Sequence, residues 1–117
     1  MAVKRAGQIV LFKFPQTDLA PGKPRPALLL APLPSGRGDW LVCMISSQLA
    51  QAVAGVDEVI ATNDADFAMT GLKAASVIRL TRLAVVTDSI FLGALGKISS
   101  DRLTHLKKRL AQWIEAS

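Results

Sequence analysis

The sequence is poor in the side chains that many active sites use for proton transfer, nucleophilic attack or metal binding. It contains one cysteine, one histidine and no tyrosine. These counts exclude a zinc site made of cysteine and histidine and a two-histidine nuclease, and they argue against a Cys–His nucleophile pair. Cys43 cannot form an internal disulfide, and its apolar surroundings predict a packing role in a reducing compartment. His105 falls in the basic C-terminal segment, where we expect a surface position on a helix.

Long apolar runs and glycine-rich phosphate loops are also missing. No run approaches the ~20 apolar residues that a membrane span requires. The short run near the N-terminus is interrupted by Lys13, unlike that of a signal peptide. The Gly-Arg-Gly sequence at 36–38 is too short for a nucleotide-binding loop. The 117 residues therefore predict one cytoplasmic domain, residues 1–117, with no cofactor and no membrane association.

The net charge of +5 is distributed unevenly along the chain. The first 50 residues carry six basic and two acidic side chains, and the segment from 76 onward carries seven basic and three acidic ones. The segment between them holds four carboxylates and one cation: Asp57, Glu58, Asp64, Asp66 and Lys73. The basic flanks indicate a polyanionic partner, although a merely soluble basic domain would carry the same charge. We expect the four carboxylates mainly in a solvated loop, since their spacing resembles no metal site.

Short apolar runs bounded by turn residues predict a series of β-strands. The predicted strands cover residues 9–14, 27–31, 40–45, 57–60, 76–80 and 83–86. The segment 15–26 contains four prolines and is expected to be a long exposed loop. Residues 49–56 fit either a loop or a short helical turn. Gly93 and Gly96 are expected to break the pattern before the last element.

From Ser99 onward the apolar residues recur at helical spacing. Five of them form one stripe: Leu103, Leu106, Leu110, Trp113 and Ile114. Ser99 or Ser100 can cap the first turn, and Asp101 suits the positive end of the helix dipole. The predicted fold class is α+β, mostly β: a small, strongly bent antiparallel sheet or partly open barrel with a C-terminal amphipathic helix packed on it.

The stretch 22–30 carries the main candidate for a functional site. Arg25 lies between Pro24 and Pro26, at the entrance to the second predicted strand. Proline fixes its own φ and restricts the residue before it to extended geometry, so this guanidinium leaves a stiff backbone. A guanidinium binds two phosphate oxygens at once. An ordinary proline-rich turn with a solvated arginine would have the same sequence.

Other polar residues are expected near the strand ends. Ser46, Ser47 and Gln48 follow the third strand, where side chains leave the core, and Arg79 lies on a later strand close to Lys73 in sequence. Together with an arginine, hydroxyl and amide groups can stabilise the negative charge that develops at phosphorus without a metal ion. A polar strand terminus without function is the alternative for 46–48.

Several segments, in this order, resemble the MazF/PemK toxins. They are Gly7-Gln8-Ile9-Val10, Lys23-Pro24-Arg25-Pro26-Ala27-Leu28, Met44-Ile45-Ser46-Ser47-Gln48, Gly71-Leu72, Ser76-Val77-Ile78-Arg79-Leu80 and Val86-Thr87-Asp88. The resemblance covers nearly the whole chain, including the terminal helix. It implies a small SH3-like barrel that forms a homodimer and cleaves single-stranded RNA without a metal. It also implies 2′,3′-cyclic phosphate and 5′-hydroxyl ends, and neutralisation by an antitoxin encoded beside the toxin.

Two catalytic positions of the family fall on matching residues here. The phosphate-binding arginine corresponds to Arg25, and the strand-three threonine corresponds to Ser46, which keeps the hydroxyl. The residues expected to bind RNA are Lys23, Ser47, Gln48, Lys73 and Arg79.

The sequence also departs from the family pattern. Gln8 stands where an acidic residue usually follows the first glycine. Arg79 matches the arginine of the PemK-type Arg-x-Asp pair, but Thr81 replaces its aspartate, and the histidine of the first loop is absent. These departures favour Arg25 and Ser46 over a PemK-type acid–base pair.

Two other functions remain open. A non-catalytic relative of the same fold could bind a protein target such as a topoisomerase, or a cognate acidic peptide, and the loss of the aspartate at position 81 favours it. A plain nucleic-acid-binding barrel would be expected to expose more aromatic side chains for base stacking.

Overall fold

The computed structural model of the chain describes residues 4–13 and 23–117. The strands and α-helices in these ranges are β1 (Gln8–Phe12), β2 (Arg25–Pro32), β3 (Asp39–Ser46), β4 (Glu58–Ile60), α1 (Phe67–Thr70), β5 (Ser76–Thr87), β6 (Gly93–Lys97) and α2 (Ser100–Ala116). Residues 15–22 of the loop predicted at 15–26, and residue 14 at the end of the first predicted strand, lie outside the described residues. The last two residues of that predicted loop, Arg25 and Pro26, belong to β2, so the loop ends earlier than predicted. Residues 49–51 form a short 3₁₀ turn. No helix in the described part of the chain is long and apolar enough to cross a membrane.

All six strands belong to one antiparallel sheet, in the order β4–β5–β3–β2–β1–β6. The register shifts in three of the five strand pairs, β1–β6, β2–β3 and β3–β5. Such β-bulges bend a strand and increase its twist. The result is a curled half-barrel with a C-terminal helix, which confirms the predicted fold class.

Side chains alternate between the two faces of the sheet along each strand. Both faces carry a cluster of buried residues. One face holds Leu28, Cys43 and Ile45 and packs against Leu106 and Leu110 of α2. The opposite face has a second cluster: Val10, Phe12, Ala27, Leu29, Trp40 and Val42. The prediction that Cys43 packs in the core is confirmed, and burial raises the pKa of its thiol.

The two strands predicted at 76–80 and 83–86 are one continuous strand, β5, so that prediction is wrong. Met44 of β3 pairs with Arg79, whereas the preceding Cys43 pairs with Leu83. Residues 80–82 are therefore a bulge in β5. A bulge admits extra residues without ending the strand. The polar residues Thr81 and Arg82 in this bulge interrupt the apolar pattern, which therefore predicts two strands in place of one.

The expectation that Gly93 and Gly96 interrupt regular structure is also wrong, since both lie in β6, which pairs with β1. Gly96 is required by a close approach of α1 to this strand. A Cβ atom at position 96 would overlap the backbone of Met69 and Thr70. At Gly93 the same atom would meet nothing within 4 Å. The helix α1 has only four residues, too few to show a period in the sequence.

These two glycines give a matched pair of substitutions in one strand. Gly96→Ala should lower the free energy of unfolding by about 1–3 kcal/mol or more, because the backbones of α1 and β6 would have to move apart. Gly93→Ala should change it by no more than ~0.5 kcal/mol. Urea unfolding of both variants measures the difference, and equal losses would contradict the contact between α1 and β6.

The C-terminal helix begins as predicted and buries only part of its apolar stripe. The side-chain oxygen of Ser99 accepts a hydrogen bond from the backbone N–H of Arg102 at 3.1 Å and caps the helix. Leu106 and Leu110 are buried, but Trp113 and Ile114 are 37% and 58% exposed. The last turn of α2 therefore presents an apolar surface to solvent.

Arg102 joins the start of α2 to the acidic middle of the chain. Its Nε and one terminal nitrogen donate to the two carboxylate oxygens of Asp66, at 2.9 and 3.0 Å. The other terminal nitrogen lies 2.6 Å from Glu58 Oε2. The terminal nitrogen that donates to Asp66 also donates to Asp64 Oδ2, at 3.1 Å. One arginine thus binds three carboxylates, with only 15% of its side chain exposed.

The expectation of a solvated acidic loop is therefore wrong for most of the segment. Asp57 and Asp66 are 6% and 5% exposed. Glu58 contacts Arg102 and lies 3.0 Å from the Nε2 atom of His105 and 3.6 Å from a terminal nitrogen of Arg109. The basic partners lie on a helix about 40 residues later in the chain, so no local sequence pattern predicts these pairs.

Because Arg102 binds the ionised form of Asp66, the stability of the fold should depend on pH in the acid range. The hydrogen bonds from Arg102 lower the pKa of Asp66 to about 2. A carboxyl with a lower pKa in the folded state stabilises the fold above its unfolded pKa of ~4, and this contribution is lost as the pH falls towards 2. Asp66→Asn should lower the free energy of unfolding at pH 7 by about 1.5–3 kcal/mol. It should also flatten the loss of stability between pH 4 and pH 2, measured by urea unfolding across that range.

Asp101→Asn is the matched control, since this carboxylate is exposed in the first turn of α2 and makes no hydrogen bond or ion pair with the described residues. It should cost under ~1 kcal/mol, the usual size of a helix-dipole effect. A loss as large as that of Asp66→Asn would show that general charge, not this network, governs acid stability.

Candidate functional site

A cleft of about 530 Å³ lies where β2 begins and β3 ends. Five of the predicted site residues line it: Lys23, Arg25, Ser46, Ser47 and Lys73. They come from three separate segments, the residues before and at the start of β2, the end of β3, and the loop between α1 and β5. Its volume is within the range of small-ligand pockets.

Arg25 and Ser46 lie on the same side of the sheet in neighbouring strands. Ala27 pairs with Met44 in the β2–β3 ladder. Arg25 is two residues before Ala27 and Ser46 two residues after Met44, so the antiparallel register brings them opposite each other. The prediction placed each of them at a strand end, and the sheet supplies the pairing that no sequence pattern contains.

The two side chains are available to a ligand. Arg25 is exposed, and its guanidinium makes no hydrogen bond or ion pair with the described residues. The Oγ atom of Ser46 accepts a hydrogen bond from the backbone N–H of Gln48 at 3.1 Å. Since that bond uses the oxygen as an acceptor, the hydroxyl hydrogen is left to donate to a ligand.

The electrostatics of the cleft favour an anion. Lys23, Arg25 and Lys73 line it, and within the described structure no aspartate, glutamate or histidine does. Three cations without a carboxylate form a site for phosphate groups rather than for a metal ion, which prefers oxygen ligands of negative charge. The described lining therefore offers no histidine or carboxylate that could act as a general base.

One part of the cleft wall depends on the close approach of the end of α1 to β6. Gly71 ends α1 in the left-handed conformation, with φ of 72°. A Cβ atom there would overlap the carbonyl of Leu95. Gly71 and Leu95 both line the cleft, as does Lys73. The helix that the sequence did not reveal therefore sets the position of the predicted lysine.

The sequence also did not reveal the apolar part of the lining. Leu11, Pro26, Ile45, Leu72 and Leu95 contribute it. Such side chains can contact a ribose or the face of a base. Leu95 lies on β6, the strand missed because of its glycines, and Leu11 and Ile45 belong to strands whose apolar residues were assigned to the core.

Two predicted site residues do not line the cleft. Gln48 is exposed in the turn after β3. Arg79 pairs with Met44 and so shares the side of the sheet that carries Ala27, Arg25 and Ser46. Its Nε atom is buried and has no hydrogen-bond partner among the described residues.

His105 lies apart from this cleft, on α2 as expected. Its side chain is 57% exposed and contacts Glu58. It lines a different groove with Lys108, Arg109 and Trp113. Among the described residues no group of three or more His, Cys, Asp or Glu side chains is arranged to hold a metal ion.

The sequence matches one protein family over residues 5–114, described as "PemK-like, MazF-like toxin of type II toxin-antitoxin system". None of the curated protein sequences matches it.

Solved structures with the same fold include two mycobacterial proteins. One is described as an endoribonuclease in complex with its cognate antitoxin from a Mycobacterial species, with a TM-score of 0.68, 13% sequence identity and 98% of each chain covered. The other is the Mycobacterium tuberculosis toxin MazF-mt6, with a TM-score of 0.68 and 14% identity over 92% of this chain and 96% of that one. At this identity the likeness concerns the fold.

Proposed function

Because the chain belongs to the PemK-like, MazF-like family of type II toxin–antitoxin toxins, we propose that it is an endoribonuclease that cleaves single-stranded RNA without a metal ion. The observation that carries this proposal is the cleft that, among the described residues, is lined by three cations and no carboxylate, and in which the guanidinium of Arg25, unpaired within the same residues, lies opposite Ser46. Phosphate is the anion that such a donor set suits best.

The reaction proposed at this cleft is transfer of the phosphoryl group to the neighbouring 2′-hydroxyl. The 2′-oxygen attacks phosphorus and loses its proton, the bond to the 5′-oxygen breaks, and that oxygen gains a proton. The products are a 2′,3′-cyclic phosphate and a 5′-hydroxyl. Arg25 binds two phosphate oxygens and stabilises the added negative charge, and Ser46 donates a hydrogen bond to one of them. Lys23, Ser47, Gln48, Lys73 and Arg79 bind the rest of the RNA.

The proposed partners follow from the family and from the charge of the cleft. An antitoxin with an acidic segment would cover the cations and block RNA, and one similar structure contains a cognate antitoxin. We further propose a homodimer whose RNA groove spans both subunits, acting on messenger RNA in the cytoplasm.

A second candidate function is binding of a protein target without catalysis. It is favoured by Thr81, which stands where related catalytic pairs carry aspartate and whose side chain hydrogen-bonds Asp57 at 3.1 Å. Binding of an acidic peptide with no cleavage of any RNA would support this candidate.

The proposed activity predicts RNA cleavage in the presence of excess EDTA. Incubation with a long unstructured RNA, followed by analysis of the fragment ends, should give 2′,3′-cyclic phosphates and 5′-hydroxyls. Arg25→Ala should abolish most cleavage, whereas His105→Ala, a control outside the cleft, should remain near wild type. Activity that EDTA removes and magnesium restores would refute the mechanism, as would a loss of ~100-fold in the histidine variant.

The shape of Arg25 should matter more than its charge. Arg25→Lys keeps the charge and loses the planar pair of donors. The single-turnover cleavage rate should fall by about 10²–10³-fold, the effect of losing one transition-state donor. RNA affinity should fall far less, because the other cations supply most of the non-specific attraction. Arg37→Lys, an exposed arginine in the β2–β3 turn, is the control and should leave the rate unchanged. If Arg25→Lys cleaves at the wild-type rate, Arg25 is only part of a basic surface.

A further inference from the structure

The bulge in β5 is fastened from outside the strand by a buried carboxylate. Residues 80–82 lie between the Arg79–Met44 and Leu83–Cys43 pairs, so the ladder with β3 is interrupted there. The backbone N–H of Thr81 instead donates to Asp57 Oδ1 at 3.0 Å. The Thr81 hydroxyl lies 3.1 Å from each oxygen of the same carboxylate. We call this pair the Asp57–Thr81 latch.

The latch is itself held in place by the preceding loop. Asp57 Oδ2 accepts a hydrogen bond from the backbone N–H of Val53 at 2.9 Å, and the N–H of Asp57 donates to the carbonyl of Val53 at 2.9 Å. Arg109 donates to the backbone carbonyl of Asp57 at 3.3 Å. The carboxylate itself is within ion-pair distance of no cation among the described residues. Its acceptor capacity is therefore directed at the bulge and the loop.

The bulge determines which side of the sheet Arg79 occupies. In a strand, a shift of one residue moves every side chain to the opposite face. The observed register places Arg79 opposite Met44, on the side that carries Ala27, Arg25 and Ser46. Thr81 is only two residues farther along the same strand, so we expect a change in the bulge to alter the position of Arg79.

Arg79 has an unused donor. Its buried Nε lacks a hydrogen-bond partner in the described structure. An unsatisfied donor on an ionised side chain is costly when buried, and a bound anion would relieve that cost. The Nε–H group of Arg79 is therefore a donor that a bound anion can satisfy.

We propose that Asp57 and Thr81 are positioning residues that hold the β5 bulge, and through it hold Arg79 against a phosphate of RNA bound at the Arg25–Ser46 cleft. Neither residue touches the RNA. This inference rests on the proposed ribonuclease function, because it names what sets the geometry of that same site.

The first test is a double-mutant cycle on cleavage. Thr81→Val removes the hydroxyl with little change in shape and should lower the single-turnover rate at saturating RNA by about 10- to 100-fold, the effect of a misplaced contact. Thr81→Ser, which keeps the hydroxyl, should restore most of the rate. In an Arg79→Ala background, Thr81→Val should change the rate by less than ~2-fold, since the group it positions is absent. Thr87→Val, at the exposed end of the same strand, is the control.

Thermal unfolding of each variant separates a structural role from a positioning role. Loss of stability in Thr81→Val with an unchanged cleavage rate would overturn the proposal. An undiminished effect of Thr81→Val in the Arg79→Ala background would overturn it as well. Asp57→Asn should behave like Thr81→Val in both measurements, because one carboxylate oxygen becomes an NH₂ donor, which would face either the backbone N–H of Val53 or the two donors of Thr81.

A second measurement needs no catalysis and distinguishes failure of this inference from failure of the proposed function. The Nε–H resonance of Arg79 is followed in ¹⁵N-labelled protein while a 2′-deoxy oligonucleotide, which cannot be cleaved, is added. The resonance should shift in the wild type and in Thr81→Ser but not in Thr81→Val. With this pattern, a wild type that cleaves no RNA would refute the nuclease and leave the latch standing. A resonance that stays fixed in the wild type, or shifts equally in Thr81→Val, would refute the latch.

Discussion

The pairing of Arg102 with Glu58, Asp64 and Asp66 is the interaction on which the arrangement of the chain depends. It connects the first turn of α2 to β4 and to the segment between β4 and α1, which are far apart from α2 in sequence. Three carboxylates around one guanidinium would repel one another without it, so its removal would leave uncompensated charge at a poorly exposed site. The same contact explains how an acidic segment is accommodated within a basic protein.

The cleft depends indirectly on the pairing of Arg102 with these carboxylates. Asp66 also accepts a hydrogen bond from the backbone N–H of Ser99, the helix-capping residue, at 3.1 Å. Asp66 directly precedes α1, and α1 packs against β6 through backbone contacts that only glycine permits. Leu95 of β6 and Gly71, Leu72 and Lys73, which directly follow α1, contribute to the wall of the cleft. The position of a surface lysine thus follows from a buried ion pair, through a short helix and a close backbone approach.

The parts of the fold that could be predicted are those with a local signal. Apolar runs located the central strands, and helical spacing with Ser99 located α2. Predictions failed where the cause is distant in sequence. Arg102 buries carboxylates that precede it by 36–44 residues. The glycine at position 96 of β6 is required because the backbone of α1 approaches this strand closely. The strand β5 was predicted as two separate strands, because the carboxylate that holds its bulge belongs to Asp57, 24 residues earlier. For the site, side-chain chemistry predicted Arg25 and Ser46 as candidates, but only the strand register places them opposite each other.

The single buried thiol has a consequence for how the motions of this protein can be followed. Cys43 is fully buried in the centre of β3, between β2 and β5, and burial raises the pKa of its thiol. A thiolate forms only when this part of the sheet opens, and the thiolate is the reactive species. With no second cysteine to confuse the signal, the rate of reaction with a thiol reagent is a clock for opening of the sheet centre. The native sequence therefore contains its own probe, at a position that no ligand in the cleft would touch directly.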